Sequence, residues 1–148
     1  MNKIALALPA FVLGFACAAF AAEPPPTAVV LLDKAKVDAA FAQGMPMLIN
    51  SSYKIQAGRR VTAPGQVEVH EHDTDIFYIV EGTATIVTGG TTEGAKSTGA
   101  GETRGEKITG GTKRRLAKGE VIVIPSGVPH WFTEVSNPFL YFVIKVTK

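Results

Sequence analysis

The sequence predicts an all-β domain, a sandwich or barrel of short strands, with one short helix near its start. Three observations carry this. From Met47 onward the chain is a series of short apolar runs, MLIN, YKIQAG, VEVHEH, IFYIVEG, TATIVTGG, EVIVIP, HWFTEV and FLYFVIKV, broken by Gly, Pro and polar residues. Short strands spaced in this way indicate a stacked or closed β fold. Glycine and proline, 15 and 9 of 148 residues, supply the turns. Only one stretch places apolar residues at helical spacing. At 46% hydrophobic and 19% charged, the chain has the composition of a single globular domain.

The first segment is of a different kind. Lys3 precedes an apolar stretch from Ile4 to Phe20, and Ala19-Phe20-Ala21 satisfies the small-x-small cleavage rule. Residues 1–21 therefore read as a secretory signal peptide, and the expected location is periplasmic or secreted. The run is short for a membrane span and contains Pro9 and Gly14. Gly14 also stands where a lipoprotein signal ending at Cys17 has a larger aliphatic residue. Cleavage removes Cys17, the only cysteine, so the stability of the mature chain rests on no disulfide. Residues 22–32, with EPPPT at 23–27, are expected to form a stiff Pro-rich spacer and a first strand.

A single domain is expected over residues 33–148. Asp33 is placed to cap a short helix, Val37, Ala40 and Phe41 fall at helical spacing, and Gly44 suits the C-terminal stop. The formal charge of +2, from 15 basic and 13 acidic residues, leaves no electrostatic footprint for nucleic acid or an anionic membrane.

VEVHEH is an unusual strand. Alternation points Glu68, His70 and His72 the same way, with successive Cα atoms roughly 7 Å apart. The segment GEVIVIPSGVPHWF, with Gly119, Pro125, Gly127 and Pro129, runs a strand into a tight turn and brings back His130 with Phe132 on one face. All three histidines of the chain lie in these two stretches. Burying them without partners costs several kcal/mol in unmet polar groups. Neutral imidazole is a good ligand for borderline transition metals, and a nearby carboxylate completes a site that keeps positions for water or substrate. A metal centre is the expectation.

Between Thr88 and Lys113 the sequence TGGTTEGAKSTGAGETRGEKITGGTK has almost no large apolar residue and cannot build a core of its own. It reads as a loop insertion, a solvated hairpin extension. The functional alternative is a lid over a pocket mouth, with Arg104 as its anion-binding side chain.

The two histidine segments resemble the two motifs of the cupins, and the resemblance covers roughly residues 45 to 147. The second family motif, G-x5-P-x-G-x2-H-x3-N, matches from Gly119 through His130, with Glu134 in place of the final Asn. The first, G-x5-H-x-H-x(3 or 4)-E-x6-G, is met less closely. Gly65 is one residue nearer to His70, and counting back from Gly82 places Asp75 where the family has Glu. The resemblance implies a double-stranded β-helix, or jelly-roll barrel, and a metal ligand set of His70, His72, Asp75 and His130. An Asp reaches about 1.5 Å less far than a Glu, so its backbone must come closer to serve. Strand parity offers Glu68 as a competitor, either as the carboxylate itself, as a partner holding a ligand histidine, or as the general base.

Parity also predicts the pocket. Phe77 and Ile79 share the face of Asp75, and Phe132 shares that of His130, giving an apolar wall around a polar centre. Tyr78 and Trp131 point outward, to outer-sheet packing or a homodimer interface; cupins are often dimers. The cofactor expected is one divalent transition-metal ion, Mn, Fe, Zn, Ni or Cu. Three classes stay open: a metal-dependent enzyme acting on a small oxygen-rich organic molecule as a dioxygenase, decarboxylase, lyase or isomerase; a metal- or metabolite-binding module without turnover; and a metal-free, sugar-binding cupin.

Overall fold

In the computed structural model, which describes residues 23–148, Asp33 accepts a hydrogen bond from the Lys36 amide and opens helix α1 (Lys34–Gln43). Gly44 closes it in the left-handed conformation, φ 68°. The expected helix is present with both caps. The signal segment 1–21 lies outside the described residues. The expectation of a first strand within 22–32 is corrected. Residues 23–32 form no strand, and Val29 and Leu31 are exposed; Pro24, Pro25 and Pro26 remove three of the amide donors that a ladder needs.

Thirteen strands follow: β1 (Pro46–Ile49), β2 (Tyr53–Arg60), β3 (Val67–His70), β4 (Asp73–Glu81), β5 (Thr83–Thr88), β6 (Thr91–Glu93), β7 (Lys96–Gly99), β8 (Glu102–Gly105), β9 (Lys107–Thr109), β10 (Thr112–Ala117), β11 (Val121–Ile124), β12 (His130–Val135) and β13 (Phe139–Thr147). They form a five-stranded sheet in the order β1-β2-β13-β4-β11, a six-stranded sheet in the order β10-β5-β12-β3-β8-β7, and a small β6-β9 ribbon. The two large sheets face each other as the jelly roll that the resemblance implies. Phe77, Ile79, Ile124, Phe139, Tyr141 and Val143 of the first pack against Ala84, Ile86, Leu116 and Phe132 of the second. Tyr141 lies flat over β2 because residue 58 is glycine; a Cβ there would fall 2.2 Å from its ring.

Two smaller clusters sit outside the barrel. Ala40 and Phe41 of α1 cover the outer face of β2 and β13, Phe41 meeting Phe142 edge-on at 4.9 Å. Ile108 of the ribbon covers Val67, Val87 and Trp131. Trp131 thus points outward as expected and finds outer-sheet packing, donating its indole N–H to the Gly65 carbonyl at 2.7 Å. Tyr78 is exposed.

The 88–113 segment is not a free loop. It contains β6 to β9, and β8 pairs with β3, extending the six-stranded sheet with Glu102 opposite His70 and Arg104 opposite Glu68. Its few apolar residues need no core of their own, since β3 offers an edge with unpaired backbone groups.

Candidate metal centre

The inward row on β3 stops at His70. Glu71 and His72 form the bend where the chain leaves the six-stranded sheet, and the next strand, β4, belongs to the opposite sheet. Alternation restarts at Asp73, so the expectation that His72 shares the inward face of Glu68 and His70 is corrected: its side chain is exposed. Asp75, on β4, points inward from across the barrel and is 2% exposed. β12 brings His130 opposite Glu68 on β3. The turn before it is held by Gly127, at φ 79°, a conformation that glycine adopts at little cost, and the Gly127 amide donates to the His70 carbonyl at 2.7 Å.

The result is a cluster of two buried histidines and a half-buried carboxylate. One ligand atom from each of Glu68, His70 and His130 lies within 4.8 Å of the others. His70 Nδ1 meets both oxygens of Glu102 at 2.8 Å. With the proton on that nitrogen, Nε2 presents its lone pair to the interior, where it has no hydrogen-bond partner among the described residues. The nearest groups are Asp75 Oδ2 at 3.4 Å and Glu68 Oε2 at 3.5 Å, both beyond good hydrogen-bond geometry. His130 Nε2 lies 3.7 Å from Asp75 Oδ2, and its Nδ1 faces the Val128 carbonyl at 3.4 Å. A buried imidazole nitrogen left without a partner, beside a second imidazole and a carboxylate, suits a divalent transition metal held by His70, His130 and Glu68.

The electrostatics agree. Burial disfavours a charge on His70, but the carboxylates of Glu68, Asp75 and Glu102 outweigh it and raise its pKa, so the surroundings favour a cation at this nitrogen. Burial lowers the pKa of His130, keeping it neutral and competent as a ligand. Burial also opposes ionisation of Glu68, yet the neighbouring His70 and the positive charges of Arg104 and Arg60 hold its pKa down to about 2. A carboxylate so stabilised is a poor proton acceptor near neutrality.

Two cations complete the wall. Arg60 donates to Glu68 and to the Tyr141 hydroxyl, both at 3.2 Å, and its guanidinium lies over the Phe132 ring at 4.9 Å. Lys145, opposite Asp75 in the β4–β13 pairing, donates to both Asp75 oxygens at 2.7 and 2.8 Å. Above the cluster is a cavity of about 160 Å³ lined among others by Arg60, Glu68, Asp75, His130, Tyr141 and Lys145. Phe77 and Phe132 form part of its wall, whereas Ile79 lies deeper, in the core. The sequence reading found Glu68, His70, Asp75 and His130 but not Arg60, Glu102, Tyr141 or Lys145. Arg104, the anion-binding side chain of the alternative lid reading, lies 3.1 Å from Glu102 and 3.7 Å from Glu68.

A family model described as Cupin matches residues 20–148. No curated protein matches the chain by sequence. Among solved structures, BH2720 from Bacillus halodurans is 12% identical, with 86% of each chain covered and a TM-score of 0.56. TT1209 from Thermus thermophilus is 19% identical over 70% of this chain and 81% of that one, with a TM-score of 0.51. DMSP lyase DddQ from Ruegeria pomeroyi is 19% identical over 67% of this chain, which spans only 40% of that protein, with a TM-score of 0.47. For BH2720 and TT1209 the likeness is one of fold.

Proposed function

The chain belongs to the cupin family, and on that premise we propose that it holds one divalent transition-metal ion through Glu68, His70 and His130 and acts on a small oxygen-rich organic molecule in the adjoining cavity. The observation that carries the reading is the buried His70 Nε2, without a hydrogen-bond partner and aimed at the space it shares with His130 Nε2 and Glu68. A bound ion supplies Lewis-acid polarisation of a ligand oxygen or, if redox-active, oxygen chemistry. The chain itself does the rest. Glu102 fixes the ring of His70, Phe77 and Phe132 exclude water, and Tyr141, whose pKa burial raises, keeps a proton to donate to a bound oxygen. The low pKa of Glu68 supports ligation by this residue in preference to general-base work. Dioxygenase, decarboxylase, lyase and isomerase reactions all fall within this chemistry. The signal-like residues 1–21 support a periplasmic or secreted location, for which cleavage after Ala21 is the test.

Elemental analysis after incubation with Mn, Fe, Ni, Cu and Zn and removal of free ions is expected to give about one ion per chain, lost on His130→Ala. Wild-type protein that stays metal-free with all five contradicts the reading. One observation favours a second one. The carboxylate that the resemblance assigns to metal, Asp75, is engaged on both oxygens by Lys145. In that reading the ammonium stands in for a metal charge, and the protein is a metal-free binding cupin. The same analysis separates the two.

A further inference from the structure

The cavity's fixed charges name a class of ligand, on the premise that the proposed metal binds. Its lining holds two cations, Arg60 and Lys145, and two carboxylates, Glu68 and Asp75. Each cation is paired with one of those carboxylates: Arg60 with Glu68 at 3.2 Å, and Lys145 with Asp75 at 2.7 and 2.8 Å. A further pair, Arg104 and Glu102, is neutral in itself. Without metal the lining is therefore balanced. The Lys145–Asp75 pair is well buried, 12% and 2% exposed, so solvent screens it weakly, whereas Arg60 and Glu68 are half-buried.

A divalent ion at Glu68, His70 and His130 removes that balance. It draws on Glu68, the partner of Arg60, and it lies beside Asp75, the partner of Lys145, since Asp75 Oδ2 is 3.4 Å from His70 Nε2 and 3.7 Å from His130 Nε2. The same two carboxylates then face two fixed cations and a doubly charged ion. The loaded cavity has two positive charges in excess, in a place where unpaired charge is costly. We propose that the metal-loaded cavity takes a small organic anion, a mono- or dicarboxylate, with one oxygen toward the metal and a carboxylate against Lys145 and Arg60. Neutral sugars and uncharged ketones are disfavoured, because they leave the excess uncompensated. Anion and metal binding are thereby coupled: each strengthens the other.

Malonate and its uncharged analogue malonamide are suitable probes, with zinc as a redox-inert ion. Binding is followed by titration calorimetry, and zinc content is measured before and after. The expected result is one zinc per chain, malonate binding to the zinc protein at least tenfold tighter than malonamide and at least tenfold tighter than to the zinc-free protein. Lys145→Met is expected to keep zinc and lose at least tenfold in malonate affinity, and Lys145→Arg to recover most of it. If zinc binds but malonamide matches malonate, or Lys145→Met binds malonate like wild type, the anion assignment is overturned and the metal reading stands. If neither zinc nor any other ion binds, both fall. The malonate and malonamide comparison uses wild-type protein, so the proposal is decided even where the Lys145 variants fail to fold.

Discussion

Strands β4, β12 and β13 each run through both ends of the barrel interior, and the two ends are opposites. A step of two residues takes Phe77 to Asp75 on β4, Phe132 to His130 on β12, and Val143 to Lys145 on β13. One end is an aromatic plug in which Phe77, Phe132, Phe139 and Tyr141 lie with ring centroids 5.2 to 5.7 Å apart. The other holds ionisable groups, of which His70, Asp75 and His130 are buried just as deeply. Apolar burial stabilises the first end at roughly 25 cal/mol per Å². The second gains little from burial and is kept only because nearly every charge has a partner. The same backbone thus carries a core that holds the fold together and, two residues on, groups that can hold a ligand, with Phe77, Phe132 and Tyr141 serving at the boundary of both.

That separation is open to attack first at the apolar end. Phe139 is fully buried between Phe132 and Tyr141. Phe139→Ala is expected to cost about 3–5 kcal/mol, as for other large aromatic truncations in a core. Urea unfolding at neutral pH measures it. Metal stoichiometry of the protein that remains folded should not change, since Phe139 is not a wall of the cavity. A variant with wild-type stability but no metal site would mean that the two ends are not independent.

At the polar end the expected effect is reversed, small on stability and larger on the metal. Glu102 receives His70 Nδ1 on both oxygens and so fixes which nitrogen faces the centre. Partners of this kind are typically worth 10- to 100-fold in metal affinity, about 1.4–2.8 kcal/mol. Glu102→Ala should weaken metal binding by that factor in competition with a chelating indicator, and Glu102→Gln, which keeps an acceptor, by less. Unchanged affinity in both would show that packing alone orients His70.

The two regions were not equally legible in the sequence. The apolar end follows from alternation within single strands, and Phe77, Ile79 and Phe132 could be assigned from parity. The helix was legible because its signals, Asp33 and Gly44, are local. The polar end depends on pairings between distant segments. His72 was placed inward by extending one strand through a bend at which the chain changes sheets. Glu102 and Arg104 lie in a Gly- and Thr-rich stretch whose strands form only because β3 offers an edge. Lys145 carried a signal that parity could have used: Phe139, Tyr141, Val143 and Lys145 share a face, so a lysine at the end of an inward row was in view. Arg60 gave none, since its role depends on Glu68 and Tyr141 meeting it from two other strands.

The smallest expected effect belongs to neither end and serves as their control. Asp33 caps α1 by accepting from the Lys36 amide at 2.8 Å, and α1 packs on the outside of the barrel, away from both the plug and the cluster. Loss of such a cap costs about 1 kcal/mol. Asp33→Ala should therefore lower the urea midpoint slightly while metal affinity stays at the wild-type value. The two measurements must be made on the same preparation, because a loosened fold weakens any ligand bound only to the native state, but only when unfolded protein is appreciably populated. At a loss of 1 kcal/mol from a stability of the usual 5–15 kcal/mol, that population remains negligible. A fall in metal affinity with Asp33→Ala would then show that strain passes from the outer helix through β2 to Arg60 and Glu68, and the weakening expected from Glu102→Ala could no longer be assigned to His70.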